Sequence, residues 1–395
     1  MTDNHPQRTP VPKKQRVAIV GVGYSTVGRD TGLSLDTLTA QASIAAMEDA
    51  GVKPADIDGV VVHSFPHQYV SATHTAAMLG IPDLAFYSGS VDGAAYSMAA
   101  LHAIAAIASG SAETVLTLRT VHRAGAAGGS SLVPGMERGA PGPFQFTMPY
   151  GSFTGSHWAG LYMQRHMAMY GTKEEDFGAF AVAQREYAIA NPSESFFTEP
   201  LTIDDYLSAR YIAAPLRLLD CDYPVDSSSA LIFTTEERAR DLRQKPVFFE
   251  SWAMGTTQES DFSLVEDMTQ SSPFRAARRM WSRTDLKPSD VGVAGLYDGF
   301  SFIALQWLEA LGFCGIGESG PFVSSGHTRA DGVIPTNTDG GACNVGRRHG
   351  ANYFIEVTRQ LRGTAGERAL PGRPTAGVVS NAVGPFSGCA LITAE

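Results

Sequence analysis

Apolar positions fall along this chain in two alternating patterns. Residues 17–24 (VAIVGVGY) are apolar almost throughout, as in a strand covered on both faces. From about Ser34 to Ala50 the spacing becomes helical, with Leu35, Leu38, Ala42, Ile44, Ala45 and Met47 forming a stripe. Ser34 offers an N-cap and Gly51 a C-cap. The segment Val52-Lys53-Pro54-Ala55-Asp56-Ile57-Asp58-Gly59 then turns the chain into a second apolar run, VVVHS. The same phrase returns later. Residues 247–254 (VFFESWAM) predict a strand and 272–284 a helix. Leu286-Lys287-Pro288-Ser289-Asp290-Val291 follows, leading into an apolar run that ends at Leu296. One Lys-Pro-x-Asp turn is unremarkable alone. Two, each between a helix and a buried strand, predict duplication of a βαβ unit.

Each half has a further helix after a Gly-rich turn. In the first it runs from Gly93 to about Ser109 and is apolar nearly all round, so both its faces should be buried. In the second it spans about 349–362. A parallel sheet covered on both faces, repeated twice around sandwiched helices, accommodates such elements. Between the halves, residues 122–156 are rich in Gly, Ser, Pro and aromatics, and helical patterns follow at 156–169 and 174–190. This stretch is too long for a linker. It is expected to cap a pocket, with Met, Phe and Tyr facing an apolar ligand. A packing or oligomer loop is the alternative.

The 395 residues are 44% hydrophobic and 18% charged, and the net charge of -10 argues against nucleic-acid or anionic-membrane partners. No run approaches the ~20 apolar residues of a membrane span. The polar start MTDNHPQRTPVPKK lacks a signal-peptide core, so a cytoplasmic location is expected. The four cysteines (Cys221, Cys314, Cys343 and Cys389) have no metal-ligand spacing, so free thiols and no metal site are expected. Gly21-x-Gly23 lacks the third glycine and the acidic partner of a dinucleotide loop. Ser227-Ser228-Ser229 lacks the glycines of a nucleophile elbow.

Several segments together resemble the thiolase superfamily. They are Pro215-Leu216-Arg217-Leu218-Leu219-Asp220-Cys221, Leu296-Tyr297-Asp298-Gly299-Phe300, Leu311-Gly312-Phe313-Cys314-Gly315 and Asn337-Thr338-Asp339-Gly340-Gly341, with His349-Gly350 ahead of Arg359-Gln360-Leu361-Arg362-Gly363. The likeness covers the chain from about residue 16. It is closest to the sterol-carrier-protein and lipid-transfer-protein-like branch, in particular to aldolases that cleave steroid side chains. The resemblance implies an α/β thiolase fold, with two duplicated βαβ halves in a five-layer α-β-α-β-α arrangement and an inserted loop region. The N-terminal half would comprise 16–121 and 216–245, the insertion 122–215 and the C-terminal half 246–395. It also implies a homodimer, an acyl-CoA substrate with a bulky apolar acyl group, and a small partner protein built from an OB fold and a zinc ribbon. No cofactor is implied beyond the CoA of the substrate.

Two departures shape the chemistry. Thiolases carry a nucleophilic cysteine at the start of the buried helix; here that position is Gly93, or Ser90 if the alignment shifts. The C-terminal hairpin VSNAVGPFSG also lacks a cysteine, and Cys389 beyond it reads as core. The aldolase branch places a tyrosine two residues before the HG histidine; here that residue is Arg347, whereas Tyr297 matches the branch's other tyrosine. A retro-aldol cleavage needs a base for the β-hydroxyl and stabilisation of the resulting enolate. Tyr297 would be the base if Arg347 or Arg348 lowers its pKa from ~10. His349 would donate to the enolate or thioester oxygen, and Asn337 with Gly340 and Gly341 would complete an oxyanion pocket. Asp298 is a catalytic candidate, or else a cap for the following helix. Arg348 is read as substrate-binding or as a phosphate-binding surface group. Asp92, Gly93 and Tyr96 flank the lost cysteine position and are read as substrate-binding. Two other functions stay open: an acyltransferase using a non-cysteine route, and a non-catalytic acyl-CoA-binding scaffold.

Overall fold

The computed structural model describes residues 15–64, 69–90, 95–122, 142–152, 154–259 and 261–395. The first half contains β1 (Val17–Tyr24), α1 (Leu35–Ala50), β2 (Gly59–His63), α2 (Ala72–Leu79), β3 (Phe86–Ser90), α3 (Tyr96–Ala108) and β4 (Thr114–Val121). An insertion follows with α4 (Gly155–Tyr170), α5 (Glu174–Ile189), α6 (Ile203–Ser208), β5 (Tyr211–Ala213) and β6 (Leu216–Arg217). The chain then returns to the first half with β7 (Ser227–Thr235) and α7 (Glu236–Ala239). The second half contains β8 (Val247–Thr256), α8 (Ser272–Trp281), β9 (Val293–Gly295), α9 (Ser301–Ala310), α10 (Ser319–Ser324), α11 (Ala342–Val345), α12 (Ala351–Arg362), β10 (Ala376–Val383) and β11 (Phe386–Ala394).

Local chemistry accounts for the element ends. The Ser34 hydroxyl accepts from Thr37 N–H at 3.1 Å, and Gly51 ends α1 in the left-handed region at φ 76°. The two Lys-Pro-x-Asp turns are structural equivalents. Lys53 N–H donates to Asp56 Oδ2 at 2.7 Å and Lys287 N–H to Asp290 Oδ2 at 2.8 Å, each closing a 3-10 turn ahead of β2 or β9. Gly21 and Gly23 let α1 lie directly on β1: a Cβ at Gly23 would stand 2.4 Å from Ala46 N. The glycine pair is a packing device.

Nine strands form one sheet in the order β3-β2-β4-β7-β1-β8-β11-β10-β9. The second half repeats the strand order of the first in mirror image. The halves join where β1 and β8 pair antiparallel, with Ala18 opposite Phe248 and Ile19 opposite Val247. The expectation of parallel sheets is corrected here. β2–β3, β2–β4 and β9–β10 are parallel, but β1–β7, β4–β7, β10–β11 and β8–β11 are antiparallel. The tight turn at Gly384 (φ 76°) joins β10 directly to β11, which permits only antiparallel pairing.

α3 and α12 share the middle layer, and one hydrophobic cluster holds residues of both, including Tyr96, Ile104, Ile107, Tyr353, Phe354 and Leu361. α1 packs on the outer face of the first half, and α8 and α9 on that of the second. These are the five layers. Each large apolar side chain fully buried here contributes about 1.5–3 kcal/mol. The helices of the insertion join the second half's core, where Tyr162, Met163, Phe177 and Phe180 share a cluster with Phe302 and Trp307. Of the stretch expected to cap a pocket, 123–141 and 153 lie outside the described residues, while Phe146 and Tyr150 are exposed.

Candidate active site

The site is built where β9 ends. Asn337 (φ 53°) braces this point with both ends of its amide: Oδ1 accepts from Leu296 N–H at 2.7 Å and Nδ2 donates to Leu296 C=O at 2.8 Å. Tyr297 and Asp298 follow at once, so their backbone is held by a strand and a side-chain clamp together. Tyr297 is half-buried, and its N–H donates to Ser380 Oγ at 3.3 Å. Asp220, from the Leu-Leu-Asp segment, secures the next turn by accepting from the Ser301 hydroxyl at the start of α9 and from Tyr206.

Asp298 is fully buried. Its Oδ1 accepts from Ala342 N–H at 2.8 Å and from the Tyr353 hydroxyl, while Oδ2 has no hydrogen-bond partner. The carboxylate therefore caps α11, across the fold, and not the following helix α9. Burial pushes it up to about 7, over the opposing hydrogen bonds from Tyr353 and Ala342. It borders a narrow crevice, with room for about one water molecule, lined also by Phe180, Gln184, Arg185, Leu219 and Cys343. Gly341 (φ 70°) makes this arrangement possible, because a Cβ there would stand 2.1 Å from Asp298 Oδ2. A Cβ at Gly340 would likewise stand 2.7 Å from Ala188 Cβ of α5.

Arg347 and Arg348 are adjacent in sequence but face different surroundings. Arg347 ion-pairs with Asp222, and its N–H donates to Tyr223 C=O at 2.9 Å. Burial works against its charge, but Asp222 and Tyr297 outweigh this and hold it above the ordinary arginine value. Arg347 thus lies within electrostatic reach of Tyr297. Arg348 turns inward. It bonds Glu194 at 2.9 Å and Val345 C=O at 2.9 Å, and stacks 4.3 Å from the Tyr24 ring centre. The structure does not bring Arg348 to Tyr297; it ties α12 to the segment after α5.

His349 (φ 52°) precedes α12, whose N-cap is Gly350. Its carbonyl accepts from Tyr96 N–H at 3.1 Å, and its Nδ1 accepts from Arg119 Nε at 3.2 Å. Tyr96 itself is fully buried, hydrogen-bonded to the Thr117 hydroxyl and edge-on to Phe354 at 5.5 Å. Asp92 and Gly93 lie outside the described residues.

The structure adds groups that sequence reasoning did not single out. Tyr353 stands one turn into α12 and meets Tyr297 edge-on at 6.3 Å. Arg119 is a charge inside the apolar strand TVLTLRTV, itself an anomaly. Asn381 of the C-terminal hairpin accepts from Ser97 N–H at 2.9 Å and Ser97 Oγ at 2.8 Å, tying α3 to β10. The groups gathered around Tyr297 (a second tyrosine, a carboxyl poised near neutrality and an arginine) suit proton transfer. The thiols do not: burial pushes Cys221, Cys314, Cys343 and Cys389 up from their ordinary value.

The thiolase C-terminal domain-like family matches residues 255–393. The chain is 35% identical to a 17-hydroxy-3-oxo-4-pregnene-20-carboxyl-CoA lyase of Mycobacterium tuberculosis, over 89% of this chain and 92% of that one. It is 34% identical to a steroid side-chain-cleaving aldolase of Thermomonospora curvata, over 95% and 97%. Among solved structures it superposes on an Ltp2-ChsH2(DUF35) aldolase with TM-score 0.86 at 32% identity, covering 96% of this chain and 98% of that one. With this coverage and identity, the chain belongs to the thiolase-fold carbon–carbon lyases, in the branch of the steroid side-chain-cleaving aldolases.

Proposed function

We propose that this protein cleaves the side chain of a β-hydroxyacyl-CoA whose acyl group is a steroid or a similarly bulky apolar ring system. Tyr297 takes the β-hydroxyl proton as the Cα–Cβ bond breaks. The β-carbon leaves as a ketone or aldehyde. The bonding pair passes into the thioester as an enolate, which is then protonated at Cα to give the shortened acyl-CoA. The Arg347 guanidinium stabilises the negative charge on the tyrosine oxygen, and His349 donates to the enolate oxygen. Asp298, next to Tyr297 in sequence, supplies a proton-exchanging group near neutral pH. The observation that carries this reading is the placement of Tyr297 within electrostatic reach of Arg347 and next in the chain to a buried carboxyl raised to about 7. No cofactor is required beyond the substrate's CoA.

The relatives' names support the substrate class, since one is named for a hydroxylated steroid carboxyl-CoA. The superposed Ltp2-ChsH2(DUF35) aldolase carries a DUF35 component in its name, which supports a small OB-fold and zinc-ribbon partner for this chain. We place the enzyme in the cytoplasm as a homodimer; among the described residues no helix is long and apolar enough to cross a membrane.

Mass spectrometry of products tests the activity. The protein, with any copurifying partner, is incubated with a β-hydroxyacyl-CoA bearing a steroid ring. A ketone or aldehyde and a shortened CoA ester are expected, with kcat lowered about 100-fold or more in Tyr297→Phe. Intact substrate with wild type, despite measurable binding, would replace this reading with the scaffold function.

A further inference from the structure

Arg119 is fully buried in β4. A guanidinium in such a place must direct its hydrogens to acceptors. Nη1 donates to His63 C=O at 3.3 Å, and Nε donates to His349 Nδ1 at 3.2 Å. Arginine has no acceptor and keeps its proton in proteins. The Nδ1 lone pair of His349 must therefore be the accepting partner, and Nδ1 carries no hydrogen in this contact.

We propose that Arg119 is a positioning residue that holds His349 as the Nε2–H tautomer, making it a hydrogen-bond donor toward the substrate and not a proton acceptor. In hydrolase triads a carboxylate accepts from Nδ1–H and leaves Nε2 as the base. Here a guanidinium takes the carboxylate's place and reverses the polarity of the ring. The surroundings fix the geometry on each side. His349 C=O is tied by Tyr96 N–H at 3.1 Å. The His63 ring stands 6.2 Å from that of His349 and is anchored through Nδ1 to Ser90 Oγ at 2.9 Å. Burial and the Arg119 charge lower His63 to about 3, so it stays neutral. The proton that leaves the β-hydroxyl then has Tyr297 and Asp298 as acceptors, with His349 reserved for the thioester oxygen. This division of labour rests on the function proposed above; the tautomer does not.

The test is 15N NMR of histidine-labelled protein, the His349 signals being those missing from His349→Gln. In wild type, Nδ1 is expected to read as unprotonated and Nε2 as protonated. Arg119→Met should mix the two tautomers and lower kcat about 10- to 100-fold, with KM little changed. Arg119→Lys, which keeps a donor, should recover part of both. A protonated Nδ1 in wild type overturns the proposal, and so does an Arg119→Met protein with unchanged tautomer and kcat. Reading the wild-type tautomer needs the folded His349→Gln protein only to assign the signals, and it needs no substrate that turns over. Failure of cleavage alone therefore counts against the proposed function and leaves the tautomer to be read.

Discussion

Asp298 receives hydrogen bonds on Oδ1 from Tyr353 and Ala342 and none on Oδ2, in a place where no water-exposed surface relieves its charge. Burial is the larger effect, and it lifts the group from 3.8 to about 7. A carboxyl raised in the folded state binds its proton more tightly there than in the unfolded chain. Its stabilising contribution is therefore complete below about pH 4 and is lost as pH rises through about 7. Asparagine has no such titration. The stability of Asp298→Asn relative to wild type should move in the variant's favour from about pH 4 to 7 and level off above, as read by denaturant unfolding across pH. A difference that stays flat over that range would show that Asp298 ionises at its ordinary value. The Arg347–Arg348 pair gives a second lesson at this scale. Adjacent residues at the irregular entry to a helix point in different directions, and only Arg347 reaches the tyrosine.

The paired Lys-Pro-x-Asp turns set the entry into β2 and β9, and thereby the depth at which each strand enters the sheet. Their carboxylates accept the same backbone N–H at nearly the same length, 2.7 and 2.8 Å. Asp56 additionally takes Arg238 at 2.9 Å. Replacing Asp290 by Ala should destabilise the protein by about 1 kcal/mol, and Asp56→Ala by at least as much, in chemical unfolding. Two variants with no measurable loss would mean that these turns form without their caps. α3 and α12 are the other matched pair. The nearly continuous apolar surface of α3 marked it as buried, whereas α12 carries Asn352, Glu356 and Gln360 into the same layer and buries them with partners.

The sheet has two outer strands with different surroundings. β9 is covered: Ala294 pairs with Thr336 in an isolated bridge, and Asn337 N–H donates to Ala294 C=O at 2.8 Å. β3 pairs with β2 alone among the described residues, and Tyr87 on it is 63% exposed. An uncovered strand edge is a template for a second chain, so the homodimer proposed above is expected to pair through β3. Sedimentation should show a two-chain mass for wild type and a one-chain mass for Tyr87→Lys, since a charge on an edge strand opposes pairing. A wild type that sediments as a single chain removes the dimer from this account.

The first strand and helix, their repeat in the second half, the Ser34 and Gly51 caps, the duplicated turns and the buried character of α3 were readable in the chain. Each depends on neighbours within a few residues and on a periodicity that reports which face is covered. The segments around Tyr297, Asn337 and His349 also stood out in the chain as candidates for the site. Periodicity does not say what covers a face. The mixed sheet, the inward turn of Arg348 to Glu194, the capture of Asp298 by Tyr353 and α11, and the Arg119–His349 contact depend on partners far away along the chain. Glu194 and Arg348 are 154 positions apart, and Arg119 and His349 are 230. Such pairs meet only once both halves have packed, and burial at that point decides which charges persist, which protons stay and which side of a histidine can donate.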